Sequence, residues 1–133
     1  MAGTSPSYDD KPSRNGFIQN GVLSMSKPPA NARDAVRSTV PKMIEVTENV
    51  IYGDIWERPG LSKRDRSLVV LATLIGTYRP EQLRGHLARA LDNGVTKEEI
   101  AEVITHLAFY SGWPGSMTAA RIAQEVFAER GIG

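Results

Sequence analysis

The sequence predicts an all-α fold, a bundle of about five to six helices with short antiparallel connections that completes its burial by self-association. Three observations predict it. Apolar residues recur at spacings of three and four from about Thr39 onward, helix-start signals sit where those patterns begin, and no stretch alternates polar and apolar residues between hairpin turns.

Residues 1–32 are rich in Ser, Pro, Gly, Asn and Lys and hold few residues worth burying, so ordering them would cost entropy with little return. They are expected to form a flexible arm, with residues 33–133 as the helical domain. Folding of the arm onto a neighbouring subunit is the alternative, and Phe17, Ile18, Val22 and Leu23 are the residues able to anchor it.

Met43, Val46, Val50 and Ile51 mark the first helix, with Pro41 tolerated in its first turn. The segment GDIWERPG, residues 53–60, interrupts it. Ser62 and Asp65 have capping-box spacing and start a helix that runs to about Gly76, apolar on nearly every side. Pro80 suits the first position of the next helix and Gly94 the left-handed residue beyond its end, with Leu83, Leu87, Ala90 and Leu91 as core stripe. Thr96 and Glu99 form a second capping box, and Val95 with Ile100 a hydrophobic staple. That helix carries Ile100, Val103, Ile104, Leu107 and Ala108 and ends at Ser111-Gly112. Pro114 opens the last one, through Met117, Ala120, Ala123, Val126 and Phe127.

Composition excludes several functions. Sixteen Lys and Arg against fifteen Asp and Glu give a net charge of +1, spread evenly along the chain, so neither half suggests a nucleic-acid or anionic-membrane surface. No apolar run approaches the roughly 18 residues of a membrane span, and MAGTSPSYDDKPSRNG lacks a secretion signal's basic start and apolar block. A cytoplasmic protein is expected. With no cysteine there is no disulfide, thiolate metal site or cysteine nucleophile.

The two histidines are the natural candidates for chemistry. His86 falls four residues after Gln82 and seven after Arg79, a polar line beside the core stripe. An imidazole there suits proton transfer, since its ordinary pKa is about 6.5, but a half-buried structural histidine is the alternative. His106 lies between Glu102 and Tyr110 at spacings of four, either extending a polar network or lying on a solvated face. Trp56, Trp113, Phe109 and Tyr110 read as core or interface aromatics. Arg58, Arg64, Arg66, Arg79 and Arg84 cluster in a short span, and an acidic substrate would need one or two of them. No nucleotide-binding fingerprint occurs, and two histidines without a spaced carboxylate cluster give no ground for a metal, so neither cofactor nor metal is expected.

The runs RPGLSKRDRSLVVLATLIG and RPEQLRGHLARALDNGVTKEEIAEVITHLAFYSGWPGSMTAARIAQEVF resemble the carboxymuconolactone decarboxylase family, over about residues 40–130. In its alkylhydroperoxidase branch a C-x-x-C-x-x-x-H motif carries peroxide reduction. On this chain the two cysteines fall at Arg79 and Gln82, the histidine at His86 and an upstream Glu near Ser67, so thiol peroxidase chemistry by that route is excluded.

The resemblance is instead to the cysteine-free branch. It implies a lyase of aromatic-compound breakdown, in the protocatechuate pathway, that removes carbon dioxide from an acidic lactone, γ-carboxymuconolactone, without a cofactor. It further implies His86 as the proton-transfer residue, Arg79 and Gln82 as substrate-gripping residues, His106 and Trp113 as pocket wall, and homo-oligomers, trimers or hexamers, with the site near a subunit contact. Glu81-Gln82 departs from the family's acidic residues before the histidine. Another lactone or keto acid as substrate, or a non-catalytic oligomeric binding protein, are the rival readings.

Overall fold

The computed structural model describes the backbone of residues 17–19 and 22–24 and all of residues 32–133. The chain divides into two units, Met1–Val46 and Thr47–Gly133. The expected flexibility of the arm lies outside the described residues.

The first unit holds strands β1 (Phe17–Gln19) and β2 (Val22–Ser24) and two short helices, α1 (Ala32–Val36) and α2 (Pro41–Val46). β1 and β2 pair antiparallel, with Ile18 opposite Leu23 and Gln19 opposite Val22. This pair is a departure from the expectation that no sheet forms. Its signal was short: the two residues between the strands are Asn20-Gly21, the dipeptide that most favours a two-residue hairpin connection.

The second unit is helical throughout. A π-helical segment (Thr47–Tyr52) and a short 3-10 turn (Ile55–Glu57) lead into α3 (Lys63–Gly76), α4 (Pro80–Asp92), α5 (Lys97–Ser111) and α6 (Trp113–Glu129). α3 and α6 each pack on both α4 and α5. Leu71, Ile75, Leu83, Leu87, Ala90, Val95, Ile100, Ile104, Ala119, Ile122, Ala123, Val126 and Phe127 make the shared core.

The boundaries follow local chemistry. Thr96 Oγ1 accepts from Glu99 N and the Glu99 carboxylate accepts from Thr96 N, the full capping box. Ser62 Oγ accepts from Asp65 N, but the Asp65 carboxylate pairs with Arg64 at 3.3 Å. Gly94, with φ 94°, ends α4 as its sequence suggests. Gly53 sits against the turn before it, where a Cβ would lie 2.6 Å from the carbonyl oxygen of Asn49.

Three expected apolar faces differ from core in part within the single chain, although Leu71, Ile75, Ala123, Val126 and Phe127 are buried as expected. Met43, Val46, Val50 and Ile51 are all exposed, and Ile44 is buried instead. On α3, Leu71 and Ile75 are enclosed while Val69 is 58% exposed, so the helix is covered on one side and not on all. On α6, Met117 and Ala120 point outward and Ser116, Ala119 and Ile122 point in. The reason is close helix packing: Ser116 Oγ donates to the carbonyl of Ile104 at 2.9 Å, which a larger inward residue would prevent. Between α4 and α6 the Arg84 guanidinium joins the carboxylates of Glu125 and Glu129.

Thr96→Ala should remove the hydroxyl acceptor of the α5 cap while leaving the bond from Thr96 N to the Glu99 carboxylate, and cost about 1 kcal/mol, readable as a lower urea midpoint with unchanged slope.

Candidate functional site

α4 presents two adjoining stripes. Leu83, Leu87 and Ala90 are buried in the core, and beside them Gln82, His86, Arg89 and Asn93 follow at spacings of four, three and four, which puts them on one face. Both Gln82 and Arg79, which precedes the helix, are exposed, whereas His86 and Arg89 are half-buried. Gln82 and His86 thus share a face as their spacing predicts, Arg79 stands outside the helix at its start, and the stripe continues beyond His86 to Arg89 and Asn93.

Arg89 is the extension. Its guanidinium carbon lies 4.3 Å from the ring centroid of Tyr52 and 5.7 Å from that of Trp56, and the two rings stack at 5.8 Å. The segment bearing Trp56 is tied to α3, because Arg66 donates to the carbonyl of Arg58 at 3.1 Å and Lys63 pairs with Glu57 at 2.9 Å. Trp56, read from sequence as a core or interface aromatic, is indeed buried. Arg89 and Tyr52 escaped the sequence reading, although the spacing of three between His86 and Arg89 was a signal that could have found the arginine.

At the end of the same stripe, Asn93 Nδ2 donates to the hydroxyl of Ser67 at 3.0 Å. Ser67 is buried, so the position near which the peroxidase branch places its Glu here joins α3 to α4.

Electrostatics distinguish His86. Burial holds its pKa below the ordinary 6.5, and the nearby positive charge of Arg89 lowers it further. The free protein therefore carries a neutral imidazole at neutral pH.

The other candidates stand elsewhere. Arg79 and Gln82 line an open cavity of about 650 Å³ with Leu74, Tyr78, Pro80 and Glu81. Tyr78 there has φ 54°, a left-handed conformation unusual for a bulky residue. His106, on α5, is exposed, stacks obliquely on Tyr110 at 4.7 Å, and lines a separate depression of about 370 Å³. Trp113, at the start of α6, meets Phe109 edge-on at 5.5 Å and is also exposed. Among the described residues, no hydrogen bond or ring contact joins His106 or Trp113 to Arg79, Gln82 or His86. Nor does any cluster of three or more His, Cys, Asp or Glu among them form a metal cage. No described helix is long and apolar enough to cross a membrane.

The helical unit, in a chain without cysteine, thus sets a half-buried histidine one turn before an arginine. The chain belongs to the carboxymuconolactone decarboxylase family, whose model matches residues 41–125. It is 46% identical over 81 residues to 4-carboxymuconolactone decarboxylase of Acinetobacter baylyi, covering 61% of this chain and 60% of that protein. It is 38% identical over 108 residues to nitrosuccinic acid decarboxylase of Metarhizium robertsii, covering 81% and 75%. A protein of unassigned function from Paracoccus denitrificans is 34% identical over 97 residues, covering 71% and 72%.

His86 should titrate below 6.5 in an NMR pH series, and Arg89→Gln should move its midpoint part of the way back, because burial is the larger cause. Between the folded and unfolded values the unfolded chain binds more protons. The stability linked to His86 is thus complete above pH 6.5 and is lost as pH falls toward the folded value, a slope that His86→Gln should flatten.

Proposed function

We propose that the protein is a cofactor-independent carbon-carbon lyase that decarboxylates an unsaturated lactone acid of the γ-carboxymuconolactone kind. His86 is its proton-transfer residue. The observation that carries the reading is the half-buried His86 beside Arg89 on α4, in a chain 46% identical over 81 residues to a 4-carboxymuconolactone decarboxylase.

In this reaction the bond to the leaving carboxylate breaks, carbon dioxide departs, and the electron pair passes into the lactone as a dienolate. A proton then joins carbon to give the enol-lactone. The lactone supplies the electron sink, so the protein has to hold the carboxylates, stabilise the oxygen that gains charge and deliver the proton. His86 is neutral in the free protein, and the carboxylates of a bound substrate favour its protonated form by opposing the charge of Arg89. Arg79 and Gln82, at the open cavity one to two turns before His86, grip the substrate in this reading. His106 and Trp113 belong to the pocket wall as residues brought across a subunit contact.

Self-association is part of the proposal. Phe109 and Tyr110 are 76% and 78% exposed in the single chain, with Trp113 and Met117 exposed beside them in sequence, an apolar surface that a neighbouring copy would cover. A trimer or hexamer in the cytoplasm is proposed.

A second reading has its own support. Similarity to a nitrosuccinic acid decarboxylase over 75% of its length favours the same carboxyl loss on a different, non-lactone acid.

The test is to mix the purified protein with enzymatically generated γ-carboxymuconolactone and follow carbon dioxide release and the lactone's ultraviolet change. Rapid turnover by the wild type, falling by about a hundredfold or more in a folded His86→Ala variant, is expected. No turnover by an assembled oligomer would reject this substrate. Sedimentation at micromolar concentration should give a species above dimer, and monomer alone would refute the proposed assembly.

A further inference from the structure

The arginines of the helical unit fall into two groups. Arg64 pairs with Glu99 and Asp65, Arg84 with Glu125 and Glu129, Arg121 with Glu125, and Arg130 with Asp92. Arg66 is committed to the carbonyl of Arg58. Among the described residues, Arg58, Arg79 and Arg89 have no carboxylate within 4 Å.

Of those three, Arg58 and Arg79 are exposed and can be satisfied by water, whereas Arg89 is half-buried. A guanidinium in that position without a counter-ion has lost part of its hydration and gained no ion pair in return. The Tyr52 and Trp56 rings compensate in part, since an arginine held at 4.3 Å from a ring centroid is attracted by the ring's negative face. Ring contact uses the face of the guanidinium. Its N–H edge, which matches the two oxygens of a carboxylate, is a separate set of donors. His86 precedes Arg89 by one turn, so an anion on that edge lies beside the imidazole.

We propose that Arg89, backed by the stacked rings of Tyr52 and Trp56, is a carboxylate-binding site that holds an organic acid against His86. The site takes the carboxylate of a small organic acid on the N–H edge of the Arg89 guanidinium. That this carboxylate is the substrate's own rests on the decarboxylase reading above; the anion site itself does not.

The test is binding and not turnover. Succinate, with neutral succinamide as control, is titrated into the full chain while the indole N–H signal of Trp56 is followed by NMR, assigned by its loss in Trp56→Phe. Succinate should shift that signal saturably and succinamide should not. Arg89→Gln should weaken succinate binding by about tenfold or more, the range for a hydrogen bond to a charged group, and Arg89→Lys, which keeps the charge but not the paired donors, by a smaller factor. Arg121→Gln removes the same charge from α6 and should leave the affinity unchanged.

Unchanged affinity in the two folded Arg89 variants, an equal response to succinamide, or loss of binding in Arg79→Gln with Arg89→Gln unaffected would each overturn the proposal. The two readings fail separately. Succinate binding that needs Arg89 without lactone turnover refutes the substrate and keeps the site, whereas lactone turnover untouched by Arg89→Gln refutes the site and keeps the substrate.

Discussion

Leu87 is wholly enclosed, with Leu83 and Ala90 buried on the same stripe of α4, and the placement of every polar residue on that helix depends on this enclosure. A helix side chain has no independent freedom of direction once its neighbours three and four residues away are packed. Fixing Leu83, Leu87 and Ala90 between α3 and α6 therefore fixes where Gln82, His86, Arg89 and Asn93 emerge. The core and the candidate site are two edges of one helix, so changes that loosen the first displace the second.

The same constraint explains the electrostatics. Being beside the core, His86 loses enough water for its charged form to be disfavoured, and Arg89, one turn on, adds like charge. Arg89 in turn is held by the faces of Tyr52 and Trp56 and not by a carboxylate. Arg89 thus keeps its positive charge without the neutralising carboxylates that Arg84 has in Glu125 and Glu129.

Much of this was legible in the sequence where the signal is local. Pro80 and Gly94 bracket α4, and Thr96 with Glu99 opens α5, because capping depends on residues within four positions of each other. The inward face of α6 was less legible: Met117 has the spacing of a core residue, yet the small Ser116 points in, because the choice is made by how closely α5 approaches. The His86 line could be read along α4. Its partner rings could not, since Tyr52 and Trp56 come from a segment some thirty residues earlier that bends through π-helical and 3-10 turns. The three-residue strands β1 and β2 were short enough to pass as loop, although the sequence Asn20-Gly21 between them favours a two-residue connection.

The central claim is that a protein-held proton at His86 completes the loss of carbon dioxide. Running the lactone decarboxylation in deuterium oxide and examining the product by NMR tests it most directly. Delivery from a fixed imidazole predicts one deuterium, in a single configuration, at the carbon that receives the proton, with that selectivity lost in His86→Gln. A product labelled equally in both configurations by the wild-type protein would contradict the claim, since it would mean that water and not His86 finishes the reaction.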